Sequence, residues 1–476
     1  MATMARSTRF LFFLLVLAGL TLSIHINSQR VMFTDELLFE EVSYRMVQTG
    51  NFLTPIIDDK PWLEKPPLYF WMTAPLFRAA DWISSKNLFD WSQNLTPDRT
   101  FIYPWIRRFW TKFLAVIVLI YVYRISKELA GVRQGLIAFG LLLATPLFVF
   151  TSFSASLDVA GSAFITIAFF YYLRYLRQGR GYYLFWGSVA IDASVMTRSF
   201  LGLTPLAVIV LHQLFFVRRR IPVKHILASV VTIAAFVLPW HWYAYVQYRQ
   251  DFLNTYLGFN SIGHVVEVPE GYTQTSAWYY LALLLTQNPW FYFAIITVFG
   301  WATARRNYPP ELSLIFLWFL VPILVLSAAA TRHQWYMIQI LPSVSVLASF
   351  IVDRLSRYLG MVGEIFALAF VFAPFLAVAA FGYRRAPVVE AVYAVLPYIS
   401  ENQPLFTLNQ SYLPQTLLFR PRPVQIINFD QLAGAAETSS PFYVFIADKD
   451  LEMARRIVVH LERLGSFSPG GVFYVP

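Results

Sequence analysis

The sequence predicts an all-α polytopic membrane protein. It should have about eleven transmembrane helices, outer juxtamembrane helices, and a small C-terminal α/β extracytoplasmic domain. Three observations carry this. Apolar runs recur through residues 1–385, each of about twenty residues, enough to cross a hydrocarbon core of about 30 Å. Charge is scarce: 13% of the 476 residues are Asp, Glu, Lys or Arg, and mean hydropathy is +0.53, whereas soluble domains carry roughly a quarter charged residues. The basic residues fall in short clusters between apolar runs, as cytoplasmic loops carry them. The net charge of +10 therefore reads as topology and not as nucleic-acid binding.

The N-terminal run RSTRFLFFLLVLAGLTLSI reads as a first span over 9–25, since no small-x-small cleavage site follows it. Residues 26–106 form the first outer loop. Within it Thr34 can cap a helix that Gly50 ends, and Asn51 to Trp62 is loop rich in turn formers. The segment 66–83, PPLYFWMTAPLFRAADWI, is apolar but interrupted by Pro75, Arg78 and Asp81. It reads either as a short span or as a helix lying in the outer interface.

The basic clusters decide for the interface. Spans at 108–126, 134–152, 159–176, 182–197, 200–217, 226–244, 278–302, 311–330, 335–352 and 362–382 then put nearly every cluster inside, among them Arg174, Arg177, Arg218 to Arg220, and Arg354. Spans 182–197 and 200–217 are an outward-and-back pair. Arg107, Arg108 and Lys112 are the exception, at the outer end of span 108–126. A long outer loop covers 245–277. In 386–476 the strand-like runs PLFTL, PVQIIN, FYVFIA and GGVFYVP surround one helix over Asp450 to Leu464, with Leu451, Ala454, Ile457, Val458 and Leu461 at helical spacing. The chain has no cysteine, which excludes disulfides, thiol chemistry and Cys-ligated metal.

The most polar stretch of the membrane part is Asp35 to Trp71, with Asp35, Glu36, Glu40, Glu41, Asp58, Asp59 and Glu64. The DE at Asp35 and Glu36, followed about thirty residues later by EKPPLYFW, resembles the membrane glycosyltransferases of the GT-C class. The resemblance is to the family of lipid A aminoarabinose transferase and the protein O-mannosyltransferases. SLDVAGSAF, MTRSFLGLTPLAV with Arg198 in place of a lysine, AWYYLALLLTQNPW and TRHQWYMIQILPSVSVL are similar to that family's later motifs, in the same order from about 31 to 350.

The resemblance implies an inverting transfer of a sugar from a polyprenyl-phosphate carrier to a hydroxyl of a lipid, glycan or protein, on the outer face of the plasma membrane. The alternative is a transporter or flippase of a lipid-linked sugar, but such proteins place their charges at mid-membrane, and here the acids lie in outer loops.

Transfer from a phosphate carrier needs a base for the acceptor proton and cations where charge develops. Asp35 is the candidate base; its rival reading is an acid favoured at a helix N-terminus. Asp158, at the membrane edge, is the second catalytic candidate, to position Lys65 or the acceptor, against a simple helix cap. Lys65, held extended by Pro66, is the candidate for the carrier phosphate. Glu64 is to orient it or to bind a divalent ion. Arg332 is a further phosphate candidate, with Tyr336 one turn on. In relatives a histidine and an arginine follow FLNTYLGF; here Asn260 and His264 stand there as the remaining substrate-binding candidates, so a metal or phosphate contact made by that pair is altered. Glu36, Glu40 and Glu41 read as solvated helix faces.

Overall fold

The computed structural model describes residues 34–57, 60–86, 103–218, 220–263, 276–360, 403–408, 425–437, 441–467 and 470–476, with six positions in 15–23. Most of span 9–25, all of span 362–382, and Asp58, Asp59 and His264 lie outside the described residues, as does the side chain of Asn260.

The first outer loop forms helix α1 (Thr34–Thr49), a short antiparallel hairpin of β1 (Ile56–Ile57) and β2 (Lys60–Pro61), and helix α2 (Leu68–Ser85). Gly50, at φ +70°, ends α1 in the left-handed region that a glycine adopts without strain. α3 (Tyr103–Ala130) follows. The expected span 134–152 is two helices, α4 (Val132–Leu143) and α5 (Pro146–Thr151), parted where Pro146 can start a helix but not continue one. α6 (Leu157–Gln178) runs unbroken, and Gly179 at φ +68° ends it.

α7 (Gly181–Arg198), a 3-10 turn (Ser199–Leu203) and α8 (Thr204–Phe215) are contiguous in sequence, yet they are not one rod. A Cβ on Gly202 would stand 2.4 Å from the Ser194 backbone, whereas a straight helix separates residues eight apart by about 12 Å. The chain therefore turns back on itself there. Ser199 takes the reversal at φ 55°, a conformation that a side chain occupies at a cost of about 1–3 kcal/mol.

α9 (Val223–Phe252) and a π-helical stretch (Leu253–Gly263) carry helix well into the segment expected as loop from 245. The expected span 278–302 is broken into α10 (Tyr279–Gln287) and α11 (Trp290–Thr303), bent by 110° at Asn288-Pro289. α12 (Leu312–Ala328), a 3-10 turn (Gln334–Gln339) and helix α13 over 341–360 complete the described membrane part. Among the described residues, three helical stretches are long and apolar enough to cross a bilayer: Leu157–Gln178, Gly181–Phe215 and Val223–Gly258. The bent α10–α11 pair reaches that length only when its two helices are taken together, as one broken span or a re-entrant loop.

The C-terminal part has a five-stranded sheet of order β4-β3-β5-β7-β6, formed by Leu405–Leu408 (β3), Gln425–Ile427 (β4), Phe442–Ala447 (β5), Glu462–Phe467 (β6) and Gly470–Val475 (β7). β3 pairs parallel with β4 and β5, and the rest is antiparallel. The expected helix Asp450 to Leu464 is corrected. It runs instead as α15 (Asp448–Ile457), preceded by α14 (Phe429–Glu437), and the next residues form β6. Glu462 to Phe467 prefer a hairpin with β7, closed at Phe467 and Gly470, to a further helical turn.

Candidate active site

α1 is anchored by its acids. Glu36, Glu40 and Glu41 are buried, which corrects their reading as solvated faces. Glu36 Oε1 accepts from Arg107 Nε at 3.2 Å and from Arg108 Nε, and Glu40 Oε2 accepts from Arg107 Nη1 at 2.7 Å. Two cations thus meet two carboxylates inside protein, where either charge alone would cost several kcal/mol. Lys112 is buried too, its ammonium on the carbonyls of Leu22 (2.5 Å), Phe153 (3.4 Å) and Ser152 (3.5 Å). Arg107 and Arg108 thus serve buried carboxylates and Lys112 serves backbone carbonyls, which is why these three basic residues depart from the loop-cluster pattern.

With Glu36 turned inward, Asp35 in the same first turn of α1 is exposed. Protein nonetheless crowds it, as on the wall of a recess, and this burial raises its pKa against the opposing pull of Lys65 and Arg198. The loop between α1 and α2 is held from two sides. Trp71 Nε1 donates to the Phe52 carbonyl at 2.6 Å and Trp240 Nε1 to that of Leu53 at 2.9 Å. The Thr54 hydroxyl meets Tyr243 at 3.0 Å and Tyr248 at 2.8 Å, both on α9. The hairpin then delivers Glu64 and Lys65 to the start of α2. Burial, followed by Arg198, lowers the Lys65 ammonium to about 8, against the pull of Glu64, Asp35 and Asp158. Burial raises the Glu64 carboxyl.

Asp158 stands in the first turn of α6. The helix cap is not Asp158 but Ser156, whose hydroxyl accepts from Val159 N at 3.3 Å. Asp158 Oδ1 instead pairs with Arg198 Nη2 at 2.7 Å. Arg198, the last residue of α7, also lies over the Tyr336 ring, 5.4 Å from its centroid. Arg332 donates to the Ser327 carbonyl at the end of α12 at 3.0 Å and lies near Tyr280.

The fold thus gathers Asp35, Glu64, Lys65 and Asp158 from three segments, with Tyr336 joined through Arg198. Arg198 is the residue that sequence reasoning undervalued. It entered as a motif departure, and its only signal was a cation at a helix end facing an acid forty residues earlier. Among the described residues no three His, Asp or Glu side chains converge on a metal-sized point. His264 and the Asn260 side chain, which stand where relatives carry an arginine and a histidine, lie outside the described residues.

Residues 105–243 match the family described as dolichyl-phosphate-mannose-protein mannosyltransferase. An uncharacterized protein of Aquifex aeolicus (strain VF5) is 22% identical over 414 residues, 82% of this chain and 76% of that one. An undecaprenyl phosphate-alpha-4-amino-4-deoxy-L-arabinose arabinosyl transferase of Yersinia pestis (strain Pestoides F) is 25% identical over 331 residues, 68% of this chain; the match spans 55% of that relative's length.

Among solved structures, ArnT from Cupriavidus metallidurans bound to undecaprenyl phosphate superposes with a TM-score of 0.75 at 14% identity, covering 98% of both chains. The archaeal oligosaccharyltransferase AglB from Archaeoglobus fulgidus, in complex with an inhibitory peptide and a dolichol-phosphate, gives 0.59 at 12% identity, over 92% of this chain and 69% of that one. By its fold and by the matched segment 105–243, the chain is similar to the GT-C membrane glycosyltransferases.

Proposed function

We propose that the protein moves a sugar, with inversion, from a polyprenyl-phosphate carrier to a hydroxyl of a lipid, glycan or protein acceptor. The reaction takes place on the outer face of the plasma membrane, in a catalytic domain of residues 1–385 with about eleven spans, the number that the positive-inside rule favours. Residues 386–476 form a separate outer domain. The observation that carries this reading is the mutual influence of two cations, Lys65 and Arg198, and two acids, Asp35 and Asp158, in one crowded recess.

Lys65 and Arg198 hold the carrier phosphate. Asp158 is committed to Arg198 at 2.7 Å, so it aims the guanidinium. Asp35, the accessible acid, takes the acceptor proton. The acceptor oxygen forms a bond to the anomeric carbon from the face opposite the phosphate, and the bond from that carbon to the phosphate oxygen breaks. The electron pair leaves with the phosphate, where the cations stabilise the charge that develops. Tyr336 supports Arg198 from its other side.

The test is transfer by the detergent-purified protein from a panel of radiolabelled polyprenyl-phosphate sugars to hydroxyl acceptors. Labelled product from at least one donor is expected. Tight carrier binding with translocation but no covalent product would overturn the reading in favour of a flippase. A reporter at Pro476 should read external; a cytoplasmic reading there would refute the outer placement.

A further inference from the structure

A buried hydroxyl chain runs beneath the recess. The Ser156 amide donates to Thr111 Oγ1 at 2.9 Å, the Thr111 and Tyr69 hydroxyls are 2.9 Å apart, and Tyr69 Oη donates to the Arg107 carbonyl at 3.1 Å. The Tyr69 proton is committed to the carbonyl, so Thr111 donates to Tyr69 and accepts from Ser156. Every group in the chain is then used once, in one direction. Thr111, Tyr69 and Ser156 are all buried, so water cannot replace a lost partner, and a buried group left unpaired bears the full cost of its desolvation.

The ends of the chain are informative. Tyr69 lies four residues after Lys65, at the start of α2. Ser156 caps α6 two residues before Asp158. The preceding amide, Ala155, is held by Glu36 Oε1 at 3.4 Å. Two successive amides ahead of Asp158 are thus fixed from α1 and α3.

We propose that Thr111 is a positioning residue for the transfer reaction: through Tyr69 and the Ser156 amide it sets the spacing between the Lys65 segment and the helix start that carries Asp158, and hence Arg198. This rests on the reading of those residues as one transfer site. Thr111 touches no substrate. A displacement of about 1 Å by a mutation away from the chemistry can cost on the order of 100-fold in rate.

The experiment uses the full chain in detergent. Undecaprenyl phosphate binding counts folded sites, and the transfer rate is expressed per site, with whichever labelled polyprenyl-phosphate sugar the parent uses. Thr111→Val keeps the shape and removes the hydroxyl; its rate per site should fall roughly tenfold or more. Thr111→Ser restores the hydroxyl and should stay within about threefold. Tyr69→Phe breaks the chain from the other end and should match Thr111→Val. If the valine variant binds no carrier, the Tyr69→Phe rate decides. A Thr111→Val or Tyr69→Phe rate per site within twofold of the parent, or Thr111→Ser as slow as Thr111→Val, overturns the role. A parent that transfers no sugar from any donor overturns the functional reading, and this role with it.

Discussion

Gly161 and Arg198 share one space: a Cβ on Gly161 would stand 2.6 Å from Arg198 Cγ. Gly161 lies three residues after Asp158, on the same face of α6. The bare glycine lets the Arg198 chain cross the helix and reach Asp158 at 2.7 Å. The clash would fall near the root of the side chain, so a rotation of the guanidinium tip cannot relieve it.

Gly161→Ala should therefore displace Arg198 and slow transfer by about tenfold or more. Helix propensity favours alanine by up to about 1 kcal/mol, so a loss of fold is not expected. Initial rate and thermal unfolding of the purified variant check this. A parent-like rate would show that Arg198 reaches Asp158 by another path or is not needed.

Lys65 sets a limit on the alkaline side. Its ammonium is lowered to about 8, so it is charged below that pH and loses its proton above it. kcat/KM for the carrier should fall as pH rises through about 8. Lys65→Arg, which stays protonated, should remove this fall even where it lowers the maximum. A limb unchanged in Lys65→Arg would assign it to another group.

Asp35 acts on the acceptor proton. Asp35→Asn should lose about 10²- to 10⁴-fold in rate, the usual contribution of a general base, while carrier binding is retained. Burial raises its carboxyl, so the acid limb of the parent should lie above the ordinary aspartate range, since activity needs the ionised form. An Asp35→Asn rate within a few-fold of the parent would return Asp35 to a mere helix-start acid.

Glu36 should matter first for stability. Glu36→Gln removes the carboxylate charge that both Arg107 and Arg108 meet, and breaking a buried pair costs about 3–5 kcal/mol. The variant should unfold at a lower temperature in detergent. Unchanged unfolding would mean that water enters and screens the pair.

The helical membrane class and the C-terminal strands were legible from residue order, and the same order nominated Asp35, Glu64 and Asp158 as candidates. Hydropathy, glycine stops and the EKPP turn are local properties, and folding does not change them. The burial of Glu36 and Glu40 was not legible. Their periodicity is that of a polar face, and only Arg107 and Arg108, some seventy positions later, make that face an interior. That Asp158 pairs with Arg198 was equally hidden. It depends on the strained reversal at Ser199 and the missing Cβ at Gly161, and the folded chain alone brings these two together. Helix existence is decided within a few turns of chain. Whether a charge is solvated, paired or catalytic is decided by what the rest of the chain packs against it.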